Sequence, residues 1–387
     1  METTRIQDKT LSRLGFGCMR FPMLQDGKTI DESRLTEMVD YAISHGVNYF
    51  DTAWTYHNRQ SQVVLGRVLA RHPRESFYLA TKYPGHRPEG ACDPAAVFQG
   101  QLDACGVAYF DFYLLHNVNE SNIDTYTDPC WGIVDYLVEQ KKRGRIGHLG
   151  FSSHGSVELS RRFLDYADGA MEFCQIQLNY LDWTQQNARE KYELLMERGL
   201  SVFVMEPVRG GKLAKLSPRL EGQLKALRPE ESIPAWCFRY VQRLPGVGVI
   251  LSGMSDLAQV QENIRTVSGG EPLSEQEVDL LHQVAEYLKN SLPCTACRYC
   301  CEDCPAGLDI PRLLEIYNDL RVAEEVVTAM GLEGIDPGVL PAACVNCGGC
   351  KKICPQNIDV PAVLAELDGM LKKMPEWADI YRKQSKR

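Results

Sequence analysis

The sequence lacks several features that would set its class at once. It has no apolar run near the ~18 residues of a membrane-spanning helix. Its opening, METTRIQDKT, lacks the charged-then-apolar pattern of a secretory signal. These absences predict a cytoplasmic protein with no membrane span. It also has no surplus of positive charge. Lys and Arg number 42 against 51 Asp and Glu, a net charge of -9, whereas nucleic-acid binding needs a basic face; no nucleic-acid partner is expected. The short basic tail Arg382, Lys383, Lys386, Arg387 reads as a solvated end. No low-complexity tract occurs. The first apolar run, Gly15-Phe16-Gly17-Cys18-Met19-Arg20, is not followed by the third glycine that usually opens the helix of a doubly wound dinucleotide-binding sheet.

The chain has 387 residues, room for a barrel of about 250 residues and a domain of about 100. Eight short apolar runs read as strands: 14–19, 48–53, 77–82, 110–116, 148–153, 173–179, 201–207 and 246–253. Amphipathic segments separate them. In 31–46, Leu35, Met38, Val39, Ala42 and Ile43 recur at helical spacing, with Asp31 as N-cap and Gly46 just past the C-terminus. Eight β-then-α units with nearly continuous apolar strands predict an α/β fold, a (β/α)8 TIM barrel over 1–268. The turn-rich Gly269-Gly270-Glu271-Pro272 ends that pattern. A connecting helix is expected within 269–290, and a distinct α-rich domain over 291–387.

Cysteine is plentiful and uneven: of 15, nine fall between 294 and 354. Without a secretory signal this clustering points to metal, not to cross-links. Cys294, Cys297, Cys300, Cys304 and Pro305 form C-x₂-C-x₂-C-x₃-C-P, and Cys344, Cys347, Cys350, Cys354 and Pro355 repeat it. The spacing resembles that of two-cluster bacterial ferredoxins, and the whole domain resembles ferredoxin domains appended to enzymes. The resemblance implies two 4Fe-4S clusters with crossed fourth ligands: one on Cys294, Cys297, Cys300 and Cys354, the other on Cys344, Cys347, Cys350 and Cys304. The alternative is a pair of structural four-thiolate zinc sites, although zinc ribbons usually join two C-x₂-C hooks across a longer gap. Cys301 is a spare. Cys18, Cys92, Cys105, Cys130, Cys174 and Cys237 read mostly as small buried residues, with Cys18, at a strand end, the one to watch. The insert 308–343 reads as helix.

Catalytic groups of a parallel barrel sit at the C-terminal ends of its strands. Those ends carry Asp51 with Tyr56 just beyond, then Lys82, then His116. FDTAWTY (50–56), LATKY (79–83) and DFYLLHN (111–117) resemble signatures of the aldo/keto reductase superfamily, over the first ~268 residues. Each of the four has a plainer reading alone: Asp at a strand end caps helices, and a lone His is often a core residue. Together they match that family's catalytic tetrad. The chemistry is coherent. Carbonyl reduction by hydride needs a proton delivered to the oxygen, and an unperturbed tyrosine, pKa about 10, is a poor acid–base group at neutral pH. A cationic Lys82 favours the phenolate. Asp51 would orient Lys82, and His116 would hydrogen-bond the substrate oxygen.

The same resemblance implies nicotinamide contacts. Ser152 and Gln175 would hold the carboxamide, with Ser153 standing where the family has asparagine. Gly210, Gly211 and Lys212 would wrap the pyrophosphate. Glu262 and Asn263 would meet the adenine. Many NADPH-dependent members carry basic residues at the positions of Gly253 and Gln259, so their loss here weakens NADPH preference or favours NADH; Arg209 or Arg265 could substitute. His57-Asn58-Arg59 after Tyr56 resembles members with ferredoxin extensions and implies a small polar carbonyl or hydroxy substrate.

Hydride carries two electrons and a cluster takes one, so direct coupling needs a splitter, usually a flavin. The sequence carries no specific flavin motif, yet a barrel can bind FMN through late loops. Three readings remain: a nicotinamide-dependent oxidoreductase coupled to the clusters; a repurposed barrel in which ferredoxin-domain electrons drive reduction without nicotinamide; and an electron-transfer subunit that docks a ferredoxin or other redox protein.

Overall fold

The computed structural model describes residues 1–86, 93–216, 218–289, 292–322, 332 and 336–373. The chain divides into two compact units, Met1–Glu286 and Tyr287–Arg387. Cys92, the basic tail and most of the insert beyond Val322 lie outside the described residues. Among those described, no helix is long and apolar enough to cross a membrane.

The first unit opens with an antiparallel hairpin, Thr3–Ile6 (β1) and Lys9–Ser12 (β2). Eight parallel strands follow: Leu14–Gly17 (β3), Tyr49–Asp51 (β4), Tyr78–Tyr83 (β5), Phe110–Val118 (β6), Ile146–Ser153 (β7), Phe173–Gln177 (β8), Ser201–Met205 (β9) and Val247–Gly253 (β10). They pair in sequence order, and β10 closes back onto β3 with Gly253 opposite Gly17. All eight runs read from the sequence are strands, with ends shifted by a few residues. The helix Glu32–Ser44 has the buried face Leu35, Met38, Val39, Ala42, and the Asp31 side chain accepts from the Arg34 amide.

Side chains alternate across a strand, so every second residue enters the barrel. Tyr49, Phe112, Phe173 and Phe203 form an aromatic floor. Tyr49 meets Phe112 and Phe203 edge-on at 5.3 and 5.4 Å between centroids. Ile6 and Leu11 of the hairpin pack into the same cluster. The hairpin was not anticipated: its strands have four residues each, and its turn uses Gln7 at φ 53 in place of the usual glycine. One step further along the strands, the same inward face carries Asp51, Lys82 and His116.

The segment 269–290 holds the helix Glu275–Leu288. Ser274 and Glu277 form a reciprocal capping box at its start. Arg228 grips Glu277 through two hydrogen bonds, of 2.5 and 2.9 Å.

In the second unit, helices Ile310–Val322 and Val360–Lys372 pack around Leu313, Leu314, Leu320, Leu364 and Leu367. The cysteine motifs border this cluster. Each contains a short helix, Tyr299–Glu302 and Gly349–Ile353. The repeat extends to the backbone: Ala296 and Asn346, Arg298 and Gly348, Gly307 and Asn357 occupy equivalent places, all at positive φ.

Candidate active site and cysteine cavities

Three adjacent strands and one loop build the barrel site. Asp51 ends β4, Lys82 lies in β5 and His116 in β6, and Tyr56 follows β4 by one turn. Lys82 and Asp51 are buried and ion-paired at 2.5 Å. The Lys82 ammonium also donates to the Thr52 carbonyl at 2.9 Å and to the Tyr56 hydroxyl at 3.3 Å, so its three N–H bonds have three oxygens. Burial raises the Asp51 carboxyl above the ordinary range, and the ammonium beside it opposes that rise. The His116 ring stands edge-on to Tyr56 at 5.8 Å between centroids.

The backbone around His116 departs from the regular ladder. β6 and β7 shift register between Leu115 and Val118, and Asn117 adopts φ 57. Two hydroxyls hold this bulge. Tyr126 donates to the His116 carbonyl at 2.5 Å, with the Tyr83 carbonyl 3.1 Å away. Ser152 accepts from the Asn117 amide at 2.8 Å. Gly85 leaves the room for the Tyr126 ring: a Cβ there would lie 2.4 Å from it. His86 presses its ring against His116 at 4.6 Å between centroids. The sequence gives no sign of either: Tyr126 lies in the five-residue helix Ile123–Thr127 and His86 in the turn after β5, and neither segment follows a chemical pattern.

His57 has a structural task. Its Nε2 accepts from the Phe21 amide at 3.1 Å, and its ring stacks on Phe21 at 5.0 Å. Burial pushes its pKa down to about 4, in keeping with a neutral acceptor. His57, Asn58 and Arg59 are three consecutive left-handed residues, and the Arg59 guanidinium lies 3.7 Å over the Trp54 ring.

The residues expected to hold nicotinamide fall at the same end of the barrel or on its last loops. Ser152 and Gln175 are register partners on β7 and β8. The Gln175 carbonyl oxygen is buried with no hydrogen-bond partner, which suits an incoming amide N–H. Gly210 and Gly211 adopt φ 66 and 90 in the segment Arg209–Ala214, and a Cβ on Gly211 would meet nothing within 4 Å. Lys212 lies in that segment. Glu262 is half-buried on the helix Leu257–Val267, whereas Asn263 turns inward and donates to Ser252 at 3.0 Å. These features fit the cofactor at the carboxamide and pyrophosphate ends.

Arg209 is not a surface cation. It is fully buried against Asp182, 3.2 Å away, and Gln177 and Asn179 both donate to that carboxylate. Arg265 is exposed. Arg20 lies against Gly253, its Cδ 3.0 Å from where a Cβ would stand, and pairs with Glu206 at 3.6 Å. Cys18 is buried, and its thiol is raised well above the ordinary range by burial, unlike a reactive cysteine. Cys130 is exposed, contrary to the general reading of these cysteines; it lies in the loop before the helix Ile133–Lys142.

Two cavities open among the cysteines. One is lined by Cys294, Cys297, Cys300 and Cys354; the other by Cys304, Cys344, Cys347 and Cys350. The grouping is the crossed one. Among the described residues, no three Cys, His, Asp or Glu side chains converge as ligands of a single ion, whereas four thiolates of one zinc would all lie about 2.3 Å from it. Each loop carries left-handed residues at matching places, Ala296 and Arg298 in the first and Asn346 and Gly348 in the second. Four thiol donors around each cavity fit an iron–sulfur cube. Cys301 lies outside both sets and packs against the apolar cluster.

Comparison with known proteins agrees with this architecture. Residues 13–286 match the model of the aldo/keto reductase family, and residues 293–358 that of the 4Fe-4S dicluster domain. The chain is 25% identical over 331 residues to the NADH-specific methylglyoxal reductase of Escherichia coli (strain K12), covering 73% of this chain and 97% of that protein. It is 25% identical over 305 residues to the uncharacterized oxidoreductase YqkF of Bacillus subtilis (strain 168), covering 71% of this chain and 92% of that one. Among solved structures, the holo form of aldo-keto reductase AKR11C1 from Bacillus halodurans aligns with a TM-score of 0.59 and 25% identity, over 73% of this chain and 96% of that one.

Proposed function

The chain belongs to the aldo/keto reductase family, and from that premise we propose that it interconverts a small polar carbonyl compound and its alcohol, using a nicotinamide cofactor and exchanging electrons with two 4Fe-4S clusters. The observation that carries this reading is the Lys82 ammonium held between Asp51 and the Tyr56 hydroxyl. Bound nicotinamide supplies or accepts the hydride, and the clusters supply or accept single electrons. The chain's own part is proton handling and placement. A cation 3.3 Å from the Tyr56 oxygen stabilises the negative charge left there when the proton moves to the substrate oxygen. His116 hydrogen-bonds that same oxygen and orients the carbonyl. The buried floor below excludes water.

NADH is the favoured cofactor. Gly253 and Gln259 carry no charge, Arg20 occupies the space beside Gly253, the Gln259 side chain accepts from the Ser255 amide at 2.9 Å, and Arg209 is committed to Asp182. The named specificity of the Escherichia coli relative points the same way. Cys294, Cys297, Cys300 and Cys354 would hold one cluster, and Cys304, Cys344, Cys347 and Cys350 the other.

The test uses anaerobically purified protein. Iron, sulfide and flavin are assayed, then NADH or NADPH is added without substrate while cluster absorbance and EPR are followed. Cluster reduction by NADH establishes one electron path, with any flavin found as its relay. Clusters that accept electrons only from an external donor would instead favour ferredoxin-driven reduction in a repurposed barrel.

A further inference from the structure

The two cysteine repeats share backbone geometry but not surface. At the position after the first cysteine, Thr295 is 3% exposed, whereas Val345 is 64% exposed, the highest value of any large apolar side chain among the described residues. At the position before the third cysteine, Tyr299 is 5% exposed and its counterpart Gly349 is exposed. Cys297 is half-buried and its counterpart Cys347 is exposed. Charge differs too. Between Cys294 and Cys304 lie Arg298, Glu302 and Asp303; between Cys344 and Cys354 lie Lys351 and Lys352, with no acid. Lys351 pairs with Asp359 at 2.6 Å, and Lys352 is exposed.

An exposed valine alone means little. Here it adjoins a cysteine of one cavity, in a loop with an exposed cysteine, the short helix Gly349–Ile353 that follows carries two lysines, and its repeat partner is covered. We infer that the cluster held by Cys304, Cys344, Cys347 and Cys350 is the port through which the chain exchanges single electrons with an acidic carrier protein, docked on Val345 and rimmed by Lys351 and Lys352. The inference rests on the cluster assignment proposed above. The step is one electron: the reduced carrier loses it and the oxidised cluster gains it, or the reverse, with no bond made or broken. A small apolar centre with a charged rim suits a brief electron-transfer encounter, in which charge governs the rate of association.

The test measures second-order rates of cluster reduction in the anaerobic holoprotein, using a reduced ferredoxin of net negative charge and, separately, the reduced methyl viologen cation. At low salt, Lys352→Glu and Val345→Glu should each slow the ferredoxin reaction by about three- to tenfold. Salt should slow the wild-type reaction, and the viologen rate, iron content and EPR spectrum should not fall in the variants. Glu302→Lys, on the first repeat, should leave the ferredoxin rate unchanged. A ferredoxin rate indifferent to Lys352→Glu and Val345→Glu, or one accelerated by Glu302→Lys, overturns the port. So does a protein whose clusters accept electrons from viologen but from no acidic carrier. A protein that binds no iron when prepared anaerobically fails earlier, at the cluster assignment itself.

Discussion

In the barrel, Asp51, Lys82 and His116 come from three neighbouring strands, above a floor of four aromatic rings, and the ammonium already has three oxygens around it. In the C-terminal unit, eight cysteines sit on loops and two short helices, with Ala296 and Arg298 in left-handed backbone, which costs roughly 1–2 kcal/mol each. The barrel site is organised by packing and by its own ion pair and hydrogen bonds. The cysteine loops are tied by short backbone bonds, such as the Cys301 amide to the Arg298 carbonyl at 2.9 Å and the Gly307 amide to the Cys304 carbonyl at 3.0 Å, and they turn eight thiols toward two cavities that bound clusters would fill. The first site stands complete in the chain alone, whereas bound clusters would add to the second the bonds that tie its thiols together.

Iron removal is the sharpest way to break that comparison. Chelation under oxidising conditions should abolish hydrogen-exchange protection in Ile310–Val322 and Val360–Lys372 while the barrel strands keep theirs. Equal retention in both units would show that the cluster is not structural. Within the second unit, Cys354→Ser should remove one of two cluster EPR signals and about half the iron, although it belongs by sequence to the other motif.

The barrel side is tested next. Lys82→Met leaves Asp51 buried without its partner, at a cost of about 3–5 kcal/mol in stability by chemical denaturation. Tyr56→Phe should lower kcat for carbonyl reduction by about 10²–10⁴ with nicotinamide binding intact. Unchanged turnover in that variant would falsify the catalytic reading.

A smaller effect concerns pH. The folded pKa of His57, about 4, lies below the unfolded value of about 6.5. Between these values the unfolded chain binds more protons, so stability falls as the solution is acidified through that window, by up to about 1.4 kcal/mol per pH unit, and is fully present above it. The Tm of wild type should drop more steeply there than that of His57→Gln; parallel curves would remove His57 from the account. Smallest is Tyr126→Phe. It removes one hydroxyl from the His116 bulge, worth about 1 kcal/mol, and should raise exchange at Asn117 with little change at β3.

The parts legible in the sequence are those set by repetition. Eight apolar runs between amphipathic helices define the barrel, and a doubled cysteine spacing defines the dicluster domain. The tetrad residues were findable because strand ends are countable, and the structure gathers them at one mouth. Features set by single contacts were not legible. His57 reads as a polar site residue until its nitrogen is found on the Phe21 amide. Arg209 reads as a free cation until its burial on Asp182 is seen. Asn263 faces Ser252 because one turn of helix decides its direction. Tyr126 and His86 act from a five-residue helix and a turn, both too short for any periodicity to show.

Each cavity takes one cysteine from the far motif, and for the first cavity this orders events during synthesis. The cavity of Cys294, Cys297 and Cys300 cannot close until Cys354 has left the ribosome. By then every barrel strand, the last being Val247–Gly253, is already available to fold. With the proposed ligands, completion of the first cluster would follow synthesis of the whole barrel, and a cell short of iron would be expected to accumulate chains with a finished barrel and an open cysteine unit.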